Sequence, residues 1–179
     1  AELTNGNNGI SFAFWFKPTG TQGSGARIFD FGNGQPSDNI LFWKPVAGSD
    51  YPQVWMARGT TNYYPVSLTT LTDFFTNGTG WKHIVWTMTY SASNTSTWTV
   101  YYNGASTSVT TSTYHPQLGW RDNNYLGKSN WAGDGALQGM ITDFRIYNRV
   151  LSGAEATALY NNTYVSTADL YFSTNFALN

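Results

Sequence analysis

Apolar residues recur at every second position through most of the chain, the period of β-strands that bury one face. Ile10, Phe12, Phe14 and Phe16 fall on one side of the run from 10 to 16, and Ala13 and Trp15 on the other. Both faces are therefore largely apolar, as in a central strand of a sandwich. Lys17-Pro18 ends the run. Further strand-sized runs span 27–31, 40–43, 53–57, 83–90, 98–102 and 139–147, divided by turns rich in Gly, Asn and Pro. Asn103-Gly104 is a hairpin signal that pairs 98–102 with a Thr/Ser-rich strand at 105–111. One helix is predicted, from Ser152 to about Tyr160. Ser152-Gly153-Ala154-Glu155 forms a capping box there, and Leu151 can staple to Ala156.

A last strand is predicted over 168–179, after this helix. Leu170, Phe172, Phe176 and Leu178 fall on one side and Tyr171, Ser173, Asn175 and Ala177 on the other. Four large apolar side chains left in water would cost about 1.5–3 kcal/mol each, so this segment must complete a sheet in its own molecule or in a neighbour. With no repeat, linker or charge block, residues 1–179 read as one all-β domain, a two-sheet antiparallel sandwich.

Composition supports that class. A chain of 179 residues can bury roughly 70% of the surface its unfolded form exposes. Aromatics reach 17% against 11% charged residues, with Thr, Ser, Asn and Gly filling much of the rest. Cys is absent, which excludes disulfides, thiolate metal sites and a cysteine nucleophile. A net charge of −1 offers no basic field for nucleic acid or anionic lipid, and no apolar run is long enough to span a bilayer. The start on Ala1, without Met or a signal peptide, leads to the expectation of a mature or excised fragment.

Several segments carry a family resemblance. Gly127-Lys128-Ser129-Asn130-Trp131-Ala132-Gly133-Asp134, followed by Gly139-Met140-Ile141-Thr142-Asp143-Phe144-Arg145-Ile146-Tyr147-Asn148-Arg149-Val150-Leu151-Ser152, closely resembles the C-terminal signature of laminin G-like domains of the concanavalin A-like jelly roll. Phe12 to Lys17, Arg27 to Gly34 with Asp38-Asn39-Ile40, Trp81 to Thr87 and Val100 to Gly104 fit the same pattern, so the resemblance covers about residues 8–160. It implies two curved antiparallel sheets, binding of glycans or proteins, and a structural Ca2+. The chain departs from the family at its start. The family's opening strand is missing ahead of Thr4 to Gly9, and Leu170 to Leu178 resembles it, so the domain resembles a circular permutant. Closure in cis would give a self-contained module. Closure in trans, each subunit lending its strand to the next, would give a fibre by β-strand addition.

Catalysis finds little support. Glycosidases of related jelly rolls place two carboxylates around the scissile bond, about 5–5.5 Å apart in retaining enzymes, whereas this chain has only Glu2 and Glu155, the latter used in the capping box. His83 and His115 lack convincing partners, and no Gly-x-Ser-x-Gly elbow occurs. For a calcium ion, Asp30, Asp38, Asn39 and Asp143 lie in segments where laminin G-like folds carry acidic residues; equally, Asp30 and Asp143 can bond turn N–H groups or pair with Arg27 or Arg145.

Glycan recognition needs an aromatic face for the sugar's C–H surface and polar groups in the plane for its hydroxyls. Two loops supply both. Trp120, Arg121, Asp122, Asn123 and Tyr125 form one candidate set and Asn130, Trp131 and Asp134 another, with Tyr51, Arg58, Asn62, Tyr63 and Tyr64 as a further cluster. Trp131 belongs to the family signature and can equally cap the sandwich. Trp15, Trp81, Trp86 and Trp98 read as core. Asn77, Asn94 and Asn161 head N-glycosylation sequons. The reading is a non-catalytic, extracellular or virion- or cell-surface adhesion module that binds carbohydrate, with a fibre subunit assembled by exchange of the C-terminal strand as the alternative. Its partners would be a glycan or a surface protein.

Overall fold

A computed structural model describes residues 9–45, 49–90, 95–112, 115–116, 119–163, 165–166 and 170–177. Among the described residues, eleven strands and one helix follow in chain order: β1 (Gly9–Pro18), β2 (Arg27–Gly32), β3 (Ile40–Trp43), β4 (Gln53–Arg58), β5 (Thr61–Ser67), β6 (Lys82–Tyr90), β7 (Ser96–Tyr102), β8 (Ala105–Ser112), β9 (Asn123–Leu126), β10 (Gly139–Tyr147), α1 (Gly153–Tyr160) and β11 (Leu170–Ala177). Every strand pair is antiparallel. One sheet has six strands in the order β11-β10-β1-β6-β7-β8, and the other five in the order β5-β4-β3-β2-β9.

The inner faces bury a common aromatic core. Phe12 lies between Phe29 of the opposite sheet, centroids 4.8 Å apart, and Trp86 of its own, 4.7 Å apart; Trp86 in turn stacks on Trp98 at 5.3 Å. This row of stacked rings ties the sheets together with offset aromatic contacts as well as buried area. A second cluster lies on the outer face of the six-stranded sheet, where Ala13, Val85 and Tyr147 meet Leu151, Ala156 and Leu159. β1 is thus apolar on both faces, as its sequence predicts. The capping box forms as expected: Ser152 Oγ accepts from the Glu155 N–H, and the Glu155 carboxylate accepts from the Ser152 N–H. Arg149 and the Ser152 donors hold the Glu155 carboxyl down to about 2.

The last strand docks in its own chain, as the edge of the six-stranded sheet beside β10. Ile141 registers with Phe176 and Ile146 with Phe172, but a bulge separates Ile146 from Tyr147, so Leu170 registers with Tyr147 instead. Leu170 packs against the outer cluster under α1. Leu178, Asn94 and the opening Thr4 to Asn8 lie outside the described residues. Asn77 and Asn161 sit on exposed turns.

Two strands were not predicted, β5 and β9. Both are outermost in the five-stranded sheet, and edge strands tolerate polar residues and proline. Thr61-Asn62-Tyr63-Tyr64-Pro65 and Asn123-Asn124-Tyr125 therefore read as loops.

Candidate functional site

The outer face of the five-stranded sheet carries a groove. Residues paired across neighbouring strands share a face, so Arg27 with Trp43, Leu41 with Trp55 and Ala57 with Asn62 all project outward. A bulge at Ile28 lets Arg27 face out while Phe29, two residues on, faces the core opposite Phe42. The segment 127–137 then folds over this face. It is held by Ser129 Oγ, which donates to Asp134 Oδ2 at 2.8 Å and accepts from the Trp131 N–H at 2.9 Å.

These elements enclose a cavity of about 210 Å³ lined by Arg27, Leu41, Trp43, Trp55, Asn62, Tyr64, Trp131 and Asp134. Trp55 and Trp131 meet edge to face at 5.3 Å. The Arg27 guanidinium lies between two indoles, 4.5 Å from the Trp43 ring and 5.3 Å from Trp131. Its Nη2 donates to Asp134 Oδ2 at 2.7 Å and its Nη1 to the Gly25 carbonyl at 2.7 Å. Burial pulls the guanidinium below its ordinary value, while Asp134 and Asp30 oppose that pull. Gly25, at φ +81, comes so close to Asp134 that an added Cβ would lie 2.3 Å from Oδ1, which explains glycine there. The indole Nε1 of Trp43 is buried and has no hydrogen-bond partner among the described residues.

Of the predicted ligand residues, the structure brings Asn62, Tyr64, Trp131 and Asp134 together here. The others go elsewhere. Arg121 is 1% exposed, its Nε donating to the Asp38 carbonyl at 2.7 Å and its pKa pulled to about 10 by burial, so it anchors a loop and does not line the groove. Tyr63 is partly buried against the main core, opposite Met56, and does not line the groove. Asn123 and Tyr125 belong to β9, where Lys128 Nζ sits 4.6 Å over the Tyr125 ring. Asn130 donates through Nδ2 to Asp30 at 2.9 Å and to the Asn123 carbonyl at 3.3 Å. Trp120 and Asp122 are exposed and joined to Asn33, and Arg58 ends β4 opposite Thr61; none of the three lines the groove. Arg27, Trp43 and Trp55 were missed because they lie inside strands, where an aromatic residue reads as core. Trp15 and Trp81 depart from expectation too: both line a second, open depression, and Trp81 is 40% exposed.

The proposed calcium ligands do not converge. Asp143, on β10, is ion-paired with Arg145 at 2.5 Å. Asp38 Oδ1 accepts from the Gly59 N–H. Asp30 is fully buried and accepts from Asn39 Nδ2, Asn130 Nδ2 and the Asn130 N–H at 2.8–2.9 Å. A carboxylate ringed by N–H donors is the reverse of a cation site, where oxygens converge on the metal, so these residues do not fit a calcium ion. Among the described residues no group of three or more His, Cys, Asp or Glu is placed to hold a metal, and no helix is long and apolar enough to cross a membrane.

Two apposed antiparallel sheets, with an aromatic groove on one outer face, define a lectin-like jelly roll. The chain belongs to the laminin G-like branch of the concanavalin A-like lectin/glucanases superfamily, whose family model matches residues 1–157. No curated protein matches it. Among solved structures, domain 4 of the extracellular arabinanase AbnA from Geobacillus stearothermophilus, in complex with arabinotriose, is similar at a TM-score of 0.60 and 22% identity, over 89% of this chain and 69% of that one. A botulinum neurotoxin type C structure, concerned with cell entry through two ganglioside molecules, is similar at 0.58 and 13% identity, over 89% of this chain and 37% of that one. The heptameric SAP-like pentraxin of Limulus polyphemus is similar at 0.54 and 13% identity, over 96% and 82%.

Proposed function

We propose that this domain is a non-catalytic carbohydrate-binding module that takes the end of a neutral glycan in the groove walled by Trp55, Tyr64 and Trp131 over the Arg27–Asp134 pair. The observation that carries the reading is the aromatic-walled cavity with a fixed Arg27–Asp134 pair. A sugar offers an apolar C–H face to Trp131, Trp55 or Tyr64. Its hydroxyls accept from the Asn62 amide and donate to Asp134.

Charge and size narrow the class. The guanidinium is already matched by Asp134 and lies 3.7 Å from the buried Asp30, so a carboxylated or sulfated sugar would meet the Asp134 carboxylate and no spare cation among the lining residues. A cavity of about 210 Å³ holds little more than one sugar ring. The neurotoxin and arabinanase structures lend the ligand class plausibility through shared fold. Extracellular adhesion is the setting this reading suits.

A glycan array probed with the whole domain and with Trp131→Ala tests it. Hits on neutral termini that fall at least tenfold with Trp131→Ala are expected. Binding that is absent throughout, or is unchanged by Trp131→Ala, sinks the reading; hits confined to acidic glycans sink the neutral class alone.

A further inference from the structure

On the opposite side of the sandwich, the outer face of the six-stranded sheet holds a depression of about 530 Å³ lined by Trp15, Trp81, Thr142, Asp143, Arg145 and Asn162. We infer that it is a second carbohydrate-binding site, making a single chain bivalent. This goes beyond the groove at Arg27 and shares only its ligand class.

Three observations converge. Trp81, just ahead of β6, leaves 40% of a large apolar side chain in water beside polar groups. That is the amphipathic surface on which a sugar ring stacks. Its neighbour Trp15 is held by stacking on Tyr160 of α1 at 5.6 Å and by a tilted contact with His83 at 4.8 Å, so the Trp15 side of the aromatic wall is fixed by the fold.

The second observation lies in the backbone. β10 carries a bulge that is extra against both of its neighbours: Ile141 to Phe144 spans Phe176 to Thr174 on β11, and Thr142 to Arg145 spans Trp15 to Ala13 on β1. At its centre Asp143 sits at φ 51, a left-handed conformation rare for a non-glycine residue inside a strand. Bulges of this kind re-aim a side chain and concentrate beside functional sites.

Third, the bulge sets the Asp143 carboxylate against Arg145, with Oδ1 to Nε at 2.5 Å and Oδ2 to Nη2 at 2.9 Å. Both side chains remain about a quarter exposed. A fixed donor and acceptor plane beside an exposed indole suits paired sugar hydroxyls, with the Asn162 amide on the other rim.

Affinity electrophoresis through gels carrying arabinan, galactan, galactomannan or β-glucan, followed by calorimetry with an oligosaccharide of each retarding polymer, tests the inference. Across the panel the whole domain should show two binding events per chain. Trp81→Ala or Asp143→Asn should remove one of them by at least tenfold, and Trp131→Ala the other; asparagine tolerates the backbone at 143, so Asp143→Asn separates lost binding from lost folding. A single event, abolished by Trp131→Ala and untouched by Trp81→Ala and Asp143→Asn, overturns the second site and leaves the groove standing. A single event abolished only by Trp81→Ala and Asp143→Asn upholds the second site and sinks the groove. No retardation in any gel overturns both.

Discussion

Arg27 and Trp43 face each other across the β2–β3 ladder, the guanidinium carbon 4.5 Å from the indole centroid and its far edge on Asp134. This cation is structural and, on the proposed function, also part of the binding surface. Its planar fork fills a slot between two indoles while reaching a carboxylate and a carbonyl, which an ammonium cannot reproduce. Arg27→Lys should therefore cost about 1 kcal/mol in urea unfolding and about tenfold in glycan affinity. Arg27→Met strands Asp134 and removes the positive neighbour of buried Asp30. It should cost about 3 kcal/mol, the low end for a broken buried pair, because Asp134 keeps a quarter of its side-chain surface in water. Full stability and affinity in Arg27→Lys would show that the fork geometry is unimportant.

The ladder between β10 and β11 extends from Met140–Ala177 to Tyr147–Leu170, and the family match ends at residue 157. A chain stopped after Ser166 would leave the β10 edge open beside Ile141, Phe144 and Ile146, all core residues. Its melting temperature should fall by about 10 °C or more, and it should bind a hydrophobic dye. A synthetic peptide covering 167–179, added in trans, should recover much of the loss by strand addition. A truncated chain that melts with the intact one would mean that β11 contributes nothing to the sheet.

Most of this architecture could be read before any coordinates, and the exceptions share a cause. β1, β6 and β10 bury one or both faces, so their periodicity is strong. β5 and β9 lie at sheet edges, where Pro65 and the Asn123-Asn124 pair meet no packing demand, and they leave no such trace. The groove divides in the same way. Trp131, Asp134 and Tyr64 stand out as aromatic and acidic residues in polar surroundings. Trp43 and Trp55 do not, because alternation assigns residues to two faces without saying which is the core. Arg27 is hidden further by the bulge at Ile28, which breaks the parity from which its outward direction would be inferred. Trp81 misleads in the opposite direction: a tryptophan at the entry to a strand reads as packing, yet it is the most exposed ring around its depression.

His83 yields a pH dependence whose sign is fixed by its surroundings. The ring is 1% exposed, lies against Trp15, and leaves Nδ1 without a partner among the described residues. Burial, reinforced by the Arg145 charge, lowers its pKa from the usual 6.5 to about 4. Between those values the unfolded chain takes up a proton that the folded chain refuses, so stability rises with pH across this window, is complete above it, and is reduced by about 3 kcal/mol below it. Glu155, held at about 2 against an ordinary 4.5, withdraws its own contribution as pH falls from about 5 towards 2, so the two effects overlap only below about pH 5. Urea unfolding of the native domain should show a positive slope from about pH 5 to 6.5. His83→Gln should flatten that slope while leaving the loss below about pH 5 in place. If His83→Gln retains the slope between about pH 5 and 6.5, another group supplies it and the neutral, buried state assigned to His83 is wrong.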